Sequence, residues 1–224
     1  IKEWVKLKDQ NEKNLFQNFY EDKSRWSYSF QNYAFITRTQ YLLDVISEIN
    51  KYNFINQFKN FIIGKKNICF TERSTLTDRY VFATMLHDDG DMNDLEWQMY
   101  LDWYNLFKNQ IEISHIFYIQ TNPEVSFERV NKRSRFEEKT ISQDYLTKLH
   151  SKHEKWLSIE SNVLKINGNL DFENNQDNLH CVFNQMAFYL KTRVNSQTSL
   201  KNPNFNASIK ILDKILMLKS YFYG

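Results

Sequence analysis

The sequence predicts an α/β fold in which helices are layered around a parallel sheet. Short β-branched and aromatic runs, suited to strands, occur at residues 67–70, 115–120 and 163–166. The long stretches between them repeat apolar residues at helical spacing. Strands separated by helices are the pattern of a parallel sheet rather than of hairpins.

In chain order, Trp26, Phe30, Tyr33, Ile36, Tyr41 and Val45 recur three to five residues apart and predict a first long helix. The strand at 67–70 follows, and Ser74 or Thr75 is placed to cap a helix carrying Asp78, Arg79 and Phe82. Leu95, Met99, Trp103, Leu106 and Phe107 mark a further helix. After the strand at 115–120, Asn122-Pro123-Glu124 opens another helix, with Asn122 as N-cap and proline in the first turn. Gly168 closes the third strand. A polar stretch, 195–206, then separates the main body from a terminal segment, 207–223, whose apolar residues again fall at helical spacing among lysines. That segment is expected to pack on the body or on a dimer partner, with an anionic membrane or a larger assembly as the more specific option. No internal repeat is evident.

Composition narrows the function. With 224 residues, 42% of them hydrophobic, the chain can bury one sizeable core. Its 29 basic and 27 acidic residues leave a formal charge of +2, too little to attract polyanions, and nucleic acid is not an expected partner. Cys69 and Cys181 sit in apolar segments as small hydrophobes, which fits a reducing compartment, cytosol or mitochondrion. No apolar run nears the roughly 20 residues that span a bilayer, and IKEWVKLKDQ has no secretory h-region, so a soluble protein is expected.

The stretch FTERSTLTDRY, residues 70–80, is where chemistry is expected. In open α/β sheets, ligands sit beyond the carboxyl ends of the strands, and Glu72 and Arg73 occupy that position after Phe70. On position alone, a salt-bridged helix start is an equal alternative.

Glu72-Arg73-Ser74 followed by Asp78-Arg79-Tyr80 resembles the ERS and DRY segments of the deoxynucleoside kinases, in particular the deoxycytidine and deoxyguanosine kinase branch. Further blocks agree in order and spacing. They are Arg25-Trp26-Ser27 through Phe30-Gln31-x-Tyr33-Ala34, Asn93-x-x-Glu96-Trp97, Asp102-Trp103, a lid-like region from Arg129 to Glu138, and Tyr145-Leu146-x-x-Leu149-His150-x-x-His153-Glu154-x-Trp156-Leu157. The resemblance covers roughly residues 1–191, leaving 192–224 as a linker and amphipathic extension. It implies a P-loop-kinase-like, doubly wound parallel sheet with helices on both faces.

Gln31, Ala34 and Arg38 share one helix face, being three and seven residues apart. A Gln amide offers a donor and an acceptor to a base edge, and a small Ala34 leaves room beside it. Arg38 and Asp78 suit a charge-assisted pair aimed at exocyclic groups, and Phe30 and Phe82 suit a clamp on the ring. The resemblance implies these same roles; taken alone, the two phenylalanines read as core and Arg38 as a solvated charge. It further implies that Tyr20 and Glu138 hold the sugar 3'-hydroxyl. Arg73 would steady the attacking 5'-hydroxyl, Glu72 would assist a magnesium ion, and Arg129, Arg133 and Arg135 would close as a lid over a nucleoside triphosphate such as ATP. Alone, that arginine cluster would read as a basic helix face balanced by Glu137 and Glu138. The Ala34, Arg38, Asp78 combination resembles enzymes that take deoxycytidine or purine deoxynucleosides, with weak thymidine activity expected.

The family's glycine-rich loop, GxxxxGK[ST], does not occur in the sequence; Gly64-Lys65-Lys66 precedes a strand and reads as an ordinary loop. Trp4 aligns with a tryptophan that follows the family's catalytic glutamate, which would put that base before Ile1, and Glu3 lies on the wrong side of the segment. The expectation is that the strand, loop and base precede Ile1. His150 and His153 are expected to be structural, since no third metal ligand stands near in sequence. Two functions compete. The first is transfer of a γ-phosphoryl group to the 5'-hydroxyl of a deoxynucleoside, by an enzyme expected to be a homodimer. The second is a silent structural subunit resembling the kinase-like accessory subunit of mitochondrial respiratory complex I.

Overall fold

A computed structural model of the chain describes residues 4, 6–55, 69–134 and 141–196. Its elements, in chain order, are α1 (Leu15–Glu21), α2 (Lys23–Ile55), a helical run α3 over 75–88, α4 (Asp94–Phe107), β1 (Ile116–Gln120), α5 (Pro123–Arg133), α6 (Gln143–Leu157), β2 (Val163–Asn167) and α7 (Gln176–Ser196). Parallel strands alternating with helices make the fold α/β, as the sequence predicts. The chain divides into two compact units, residues 1–114 with 123–161, and residues 115–122 with 162–224.

The first unit is helical. Its helices start where side chains satisfy the free N–H groups of the first turn. Asn14 with Gln17 and Asn93 with Glu96 form reciprocal capping boxes on α1 and α4, and the Ser142 hydroxyl accepts from Tyr145 N on α6. The apolar faces then meet around Phe35, Val81, Met92 and Tyr100, each no more than 2% exposed. Lys148 of α6 pairs with Asp89 at 2.7 Å and Lys152 pairs with Asp88, which ties α6 to the end of α3.

Ser74 caps α3 as expected, its Oγ accepting from Thr77 N. Beyond Thr77 the helix departs from the α form, and residues Asp78–Ala83 make a π-helical turn before α geometry resumes at Thr84. Thr84 closes the wide turn. Its hydroxyl donates to Arg79 O at 2.8 Å and accepts from the Arg79 guanidinium at 3.0 Å.

The second unit holds β1 and β2, paired in parallel with Ile116 opposite Val163 and Gln120 opposite Asn167. Gly168 ends β2 because nothing larger fits: a Cβ there would run into Thr121 Oγ1 and stand 2.8 Å from Ile119 Cγ2. The Gly168 N–H instead donates to Gln120 O at 2.8 Å. Asn122, expected as the N-cap of α5, accepts from Asn169 Nδ2 through its side chain and donates to Asn169 Oδ1 through its N–H. Within this unit His115 and Phe117 meet the Tyr189 ring edge-on.

Several expectations are corrected. Cys69 and Phe70, the described part of the strand expected at 67–70, are not in a strand, since no neighbouring strand pairs with them among the described residues. Both cysteines are exposed free thiols rather than core residues, Cys69 because its segment is irregular and Cys181 because it lies on an outward face of α7. The residues that predict α4 do form a helix, and of them Leu95 is 71% exposed, Met99 39%, Trp103 43% and Leu106 59%, while Phe107 packs against the core. The opposite face, with Tyr100 and Tyr104, is the buried one. α7 continues to Ser196, past residue 191. Gly64, Arg135, Glu138 and the terminal segment 207–223 lie outside the described residues.

Candidate active site

All of the described candidate residues lie in the first unit. α2 presents Gln31, Ala34 and Arg38 along one face, and the turn from Glu72 through the start of α3 approaches that face. Arg38 Nε donates to Asp78 Oδ2 at 2.7 Å, and Arg38 NH1 donates to Glu72 O at 3.3 Å. Gln31 Nε2 donates to Asp78 O at 3.3 Å. One residue, Asp78, thus anchors Gln31 through its backbone and Arg38 through its carboxylate.

The pair is largely withdrawn from water. The Asp78 side chain is 3% exposed and that of Arg38 is 15% exposed. Burial pushes the Asp78 carboxyl up from its usual value, while the Arg38 and Arg73 guanidiniums pull it back down. Such a pair contributes little net stability, because desolvation offsets attraction, but a lost partner leaves a stranded charge. Ala34, between Gln31 and Arg38, is buried at 3% exposure.

Glu72 and Arg73 are exposed at the mouth of this arrangement. Arg73 holds a left-handed backbone, φ 62°, unusual for a residue with a Cβ, and its guanidinium lies 4.9 Å over the Phe82 ring. Backbone outliers of this kind concentrate at functional turns.

The two predicted ring clamps differ. Phe82 is half-buried under Arg73. Phe30 stacks on Phe19 at 4.4 Å, takes the edge of Trp4 at 5.3 Å, and is only 9% exposed, so most of its surface is spent on the core. Tyr20 is half-buried, its ring edge-on to Phe16 and Phe19. On α5, Arg129 and Arg133 are exposed one turn apart, and the helix ends at Ser134 in a left-handed conformation.

Two tyrosines without an assigned role belong to the same neighbourhood. Tyr145, on α6, is half-buried with the Lys23 ammonium 5.0 Å from its ring centre. Burial and the nearby Tyr20 push its phenol pKa up, while Arg73 opposes them. Tyr100, on α4, is fully buried. Tyr145 opens one of the motif blocks, which was the signal available; Tyr100 stands between two blocks with nothing to single it out. His153 donates from Nδ1 to Leu149 O at 2.8 Å, and burial pushes its pKa down. No group of three metal-binding side chains occurs among the described residues.

The family described as deoxynucleoside kinase matches residues 1–191. A protein named Probable deoxycytidine kinase, from Fowlpox virus (strain NVSL), is 42% identical over 169 residues, which are 71% of this chain and 64% of that protein. Deoxycytidine kinase 2 of Gallus gallus is 39% identical over 148 residues, covering 64% of this chain and 52% of the relative. The mitochondrial deoxyguanosine kinase of Xenopus laevis is 33% identical over 177 residues, covering 72% and 63%. The chain therefore belongs to the deoxynucleoside kinase family, whose fold is that of the P-loop kinases. It spans less than two thirds of the length of each of these three relatives. Their kinase names give no support to the expected alternative of a respiratory-complex subunit.

Proposed function

We propose that the protein is a deoxynucleoside kinase that passes the γ-phosphoryl group of a nucleoside triphosphate to the 5'-hydroxyl of deoxycytidine or a purine deoxynucleoside. The observation that carries this reading is the buried Arg38–Asp78 pair with the Gln31 amide bonded to the same residue. A solvated ion pair needs neither burial nor a neighbouring amide. Fixed donors and acceptors that share one anchor suit the edge of a heterocycle. A methyl-bearing pyrimidine would meet the Arg38 guanidinium, which disfavours thymidine.

Catalysis of phosphoryl transfer is mostly positioning and neutralisation of charge. Arg73, held over Phe82, is suited to orient the 5'-hydroxyl and to stabilise charge on the transferring group. Arg129, Arg133 and Arg135 are the cations assigned to the phosphates, and Tyr20 with Glu138 to the sugar 3'-hydroxyl. Glu72 is an exposed carboxylate beside Arg73, which fits magnesium, a cation held by one or two carboxylates together with substrate phosphates. Bound there, magnesium would neutralise phosphate charge. We also assign the exposed stripe of α4 to pairing with a second copy.

The test is phosphorylation of deoxycytidine, deoxyguanosine, deoxyadenosine and thymidine by the full gene product with ATP and magnesium. Thymidine is expected to be the poorest substrate. Arg73→Ala is expected to lower kcat about 10²–10³-fold, the usual loss for one charge-stabilising donor. Comparable turnover of thymidine and deoxycytidine would defeat the specificity assignment, and absence of any turnover would defeat the reaction.

A further inference from the structure

A Gln side chain reads a base edge only if its amide stays one way round, because a half-turn exchanges donor for acceptor. The Gln31 amide has one visible restraint, the 3.3 Å bond from Nε2 to Asp78 O, which is near the long limit for a hydrogen bond. A second restraint stands on α4. The Tyr100 ring meets Phe35 edge-on at 5.7 Å, and Phe35 lies one turn beyond Gln31 on the same face of α2. Trp97 stacks on the Tyr100 ring at 6.1 Å and helps hold its plane.

The Tyr100 hydroxyl is anomalous. The side chain is 0% exposed, yet among the described residues the O–H closes no hydrogen bond of ordinary geometry. Buried hydroxyls almost always have a partner. Its polar neighbours are the Gln31 amide, which eases the phenol pKa down, and the Asp78 carboxylate; burial and then that carboxylate outweigh the amide and push the pKa up, so the phenol keeps its proton. One N–H of Nε2 is committed to Asp78 O, and the acceptor that Gln31 offers a phenol O–H is Oε1.

We infer that Tyr100 is a positioning residue for nucleobase recognition: its O–H donates to Gln31 Oε1 when a nucleoside is bound and locks the amide with one N–H and one lone pair facing the base. The inference rests on the nucleoside-kinase reading. It explains why a tyrosine, rather than a phenylalanine, fills a fully buried core position next to the pair.

The experiment is a double-mutant cycle on the full gene product, with Tyr100→Phe, Gln31→Leu and the double variant. Calorimetric Kd values are measured for deoxycytidine and deoxyguanosine. Tyr100→Phe is expected to weaken the preferred nucleoside about three- to tenfold, the worth of one neutral hydrogen bond, with the melting temperature unchanged or raised because a partnerless O–H is removed. The loss should fall on KM while kcat at saturation holds, since the amide binds ground state and transition state alike. In the Gln31→Leu background the same change should cost nothing. Additive effects, or an unchanged Kd for Tyr100→Phe, would overturn this inference and leave the kinase reading standing. A wild type that binds no nucleoside would overturn both.

Discussion

Asp78 is the residue on which the site turns, and its burial makes a quantitative statement possible. Burial raises its pKa above the ordinary 3.8, and Arg38 is the larger of the groups that resist this rise. Replacing Arg38 with Met strands the carboxylate, and the expected loss of unfolding free energy at pH 7 is about 3–5 kcal/mol, toward the low end because Arg38 keeps some contact with water. The sign with pH follows from linkage. A carboxyl with a raised folded pKa contributes stability that is present below its unfolded value and is lost as pH climbs through the folded value. The Arg38→Met penalty should therefore shrink as pH is lowered from 7 toward 3.8, and Asp78→Asn added to Arg38→Met should recover most of it. Urea unfolding at pH 7 and pH 5 measures this. A penalty independent of pH and unrelieved by the second change would show that the pair is not what Arg38 supports. At this scale much could be read in advance: the spacing of Gln31, Ala34 and Arg38 put them on one face, and the ion pair of Arg38 with Asp78 suited their charges, although Arg38 taken without the family resemblance reads as a solvated charge. The backbone bond from Gln31 to Asp78 O could not be foreseen, because carbonyls leave no trace in composition.

Helix starts were legible because caps are chemical: Ser74 sits at the start of α3 as expected, and the asparagine and glutamate of the 93–96 motif turn out to be a capping box. The π turn at Asp78–Ala83 was not, since no local residue pattern distinguishes it from an α-helix. It survives because Thr84 supplies from its side chain what the widened ladder lacks, one donor to Arg79 O and one acceptor for the Arg79 guanidinium. Thr84→Val keeps the shape and removes both bonds. We expect a loss of about 1–3 kcal/mol in chemical unfolding, the cost of leaving such groups unsatisfied. An unchanged midpoint would mean that the π turn is held by packing alone. At Cys69 and Phe70 the strand reading failed for a different reason: strands are completed by neighbours, and an apolar run in the sequence does not name its partner. The Cys69 reading failed with it.

For the whole molecule, the outward stripe of α4 carries the most information about assembly. An apolar stripe left exposed on a helix, beside polar residues such as Asp94, Gln98 and Asp102, marks a contact surface. Tyr100 and Tyr104 account for the inner face of α4, and Leu95, Met99, Trp103 and Leu106, spaced four, four and three apart, form the other. Periodicity could detect that stripe but not its covering, because one sequence is blind to whether an apolar face meets its own chain or another. A twofold axis beside α4 would set this stripe against its own copy, which is the simplest closed arrangement and needs no second patch. The exposed Trp103 ring is the natural anchor, aromatic side chains being those that dominate interface energetics. Trp103→Asp places a charge at that centre while leaving the inner face of α4 untouched. Sedimentation velocity at micromolar concentration should show a dimer for the wild type and a monomer for Trp103→Asp. The helical circular-dichroism signal should be the same in both, and nucleoside affinity should be retained because Trp103 is not among the residues assigned to the base. A monomeric wild type would remove the second copy as the occupant of this face, and a variant that stays dimeric would move the interface elsewhere on the molecule.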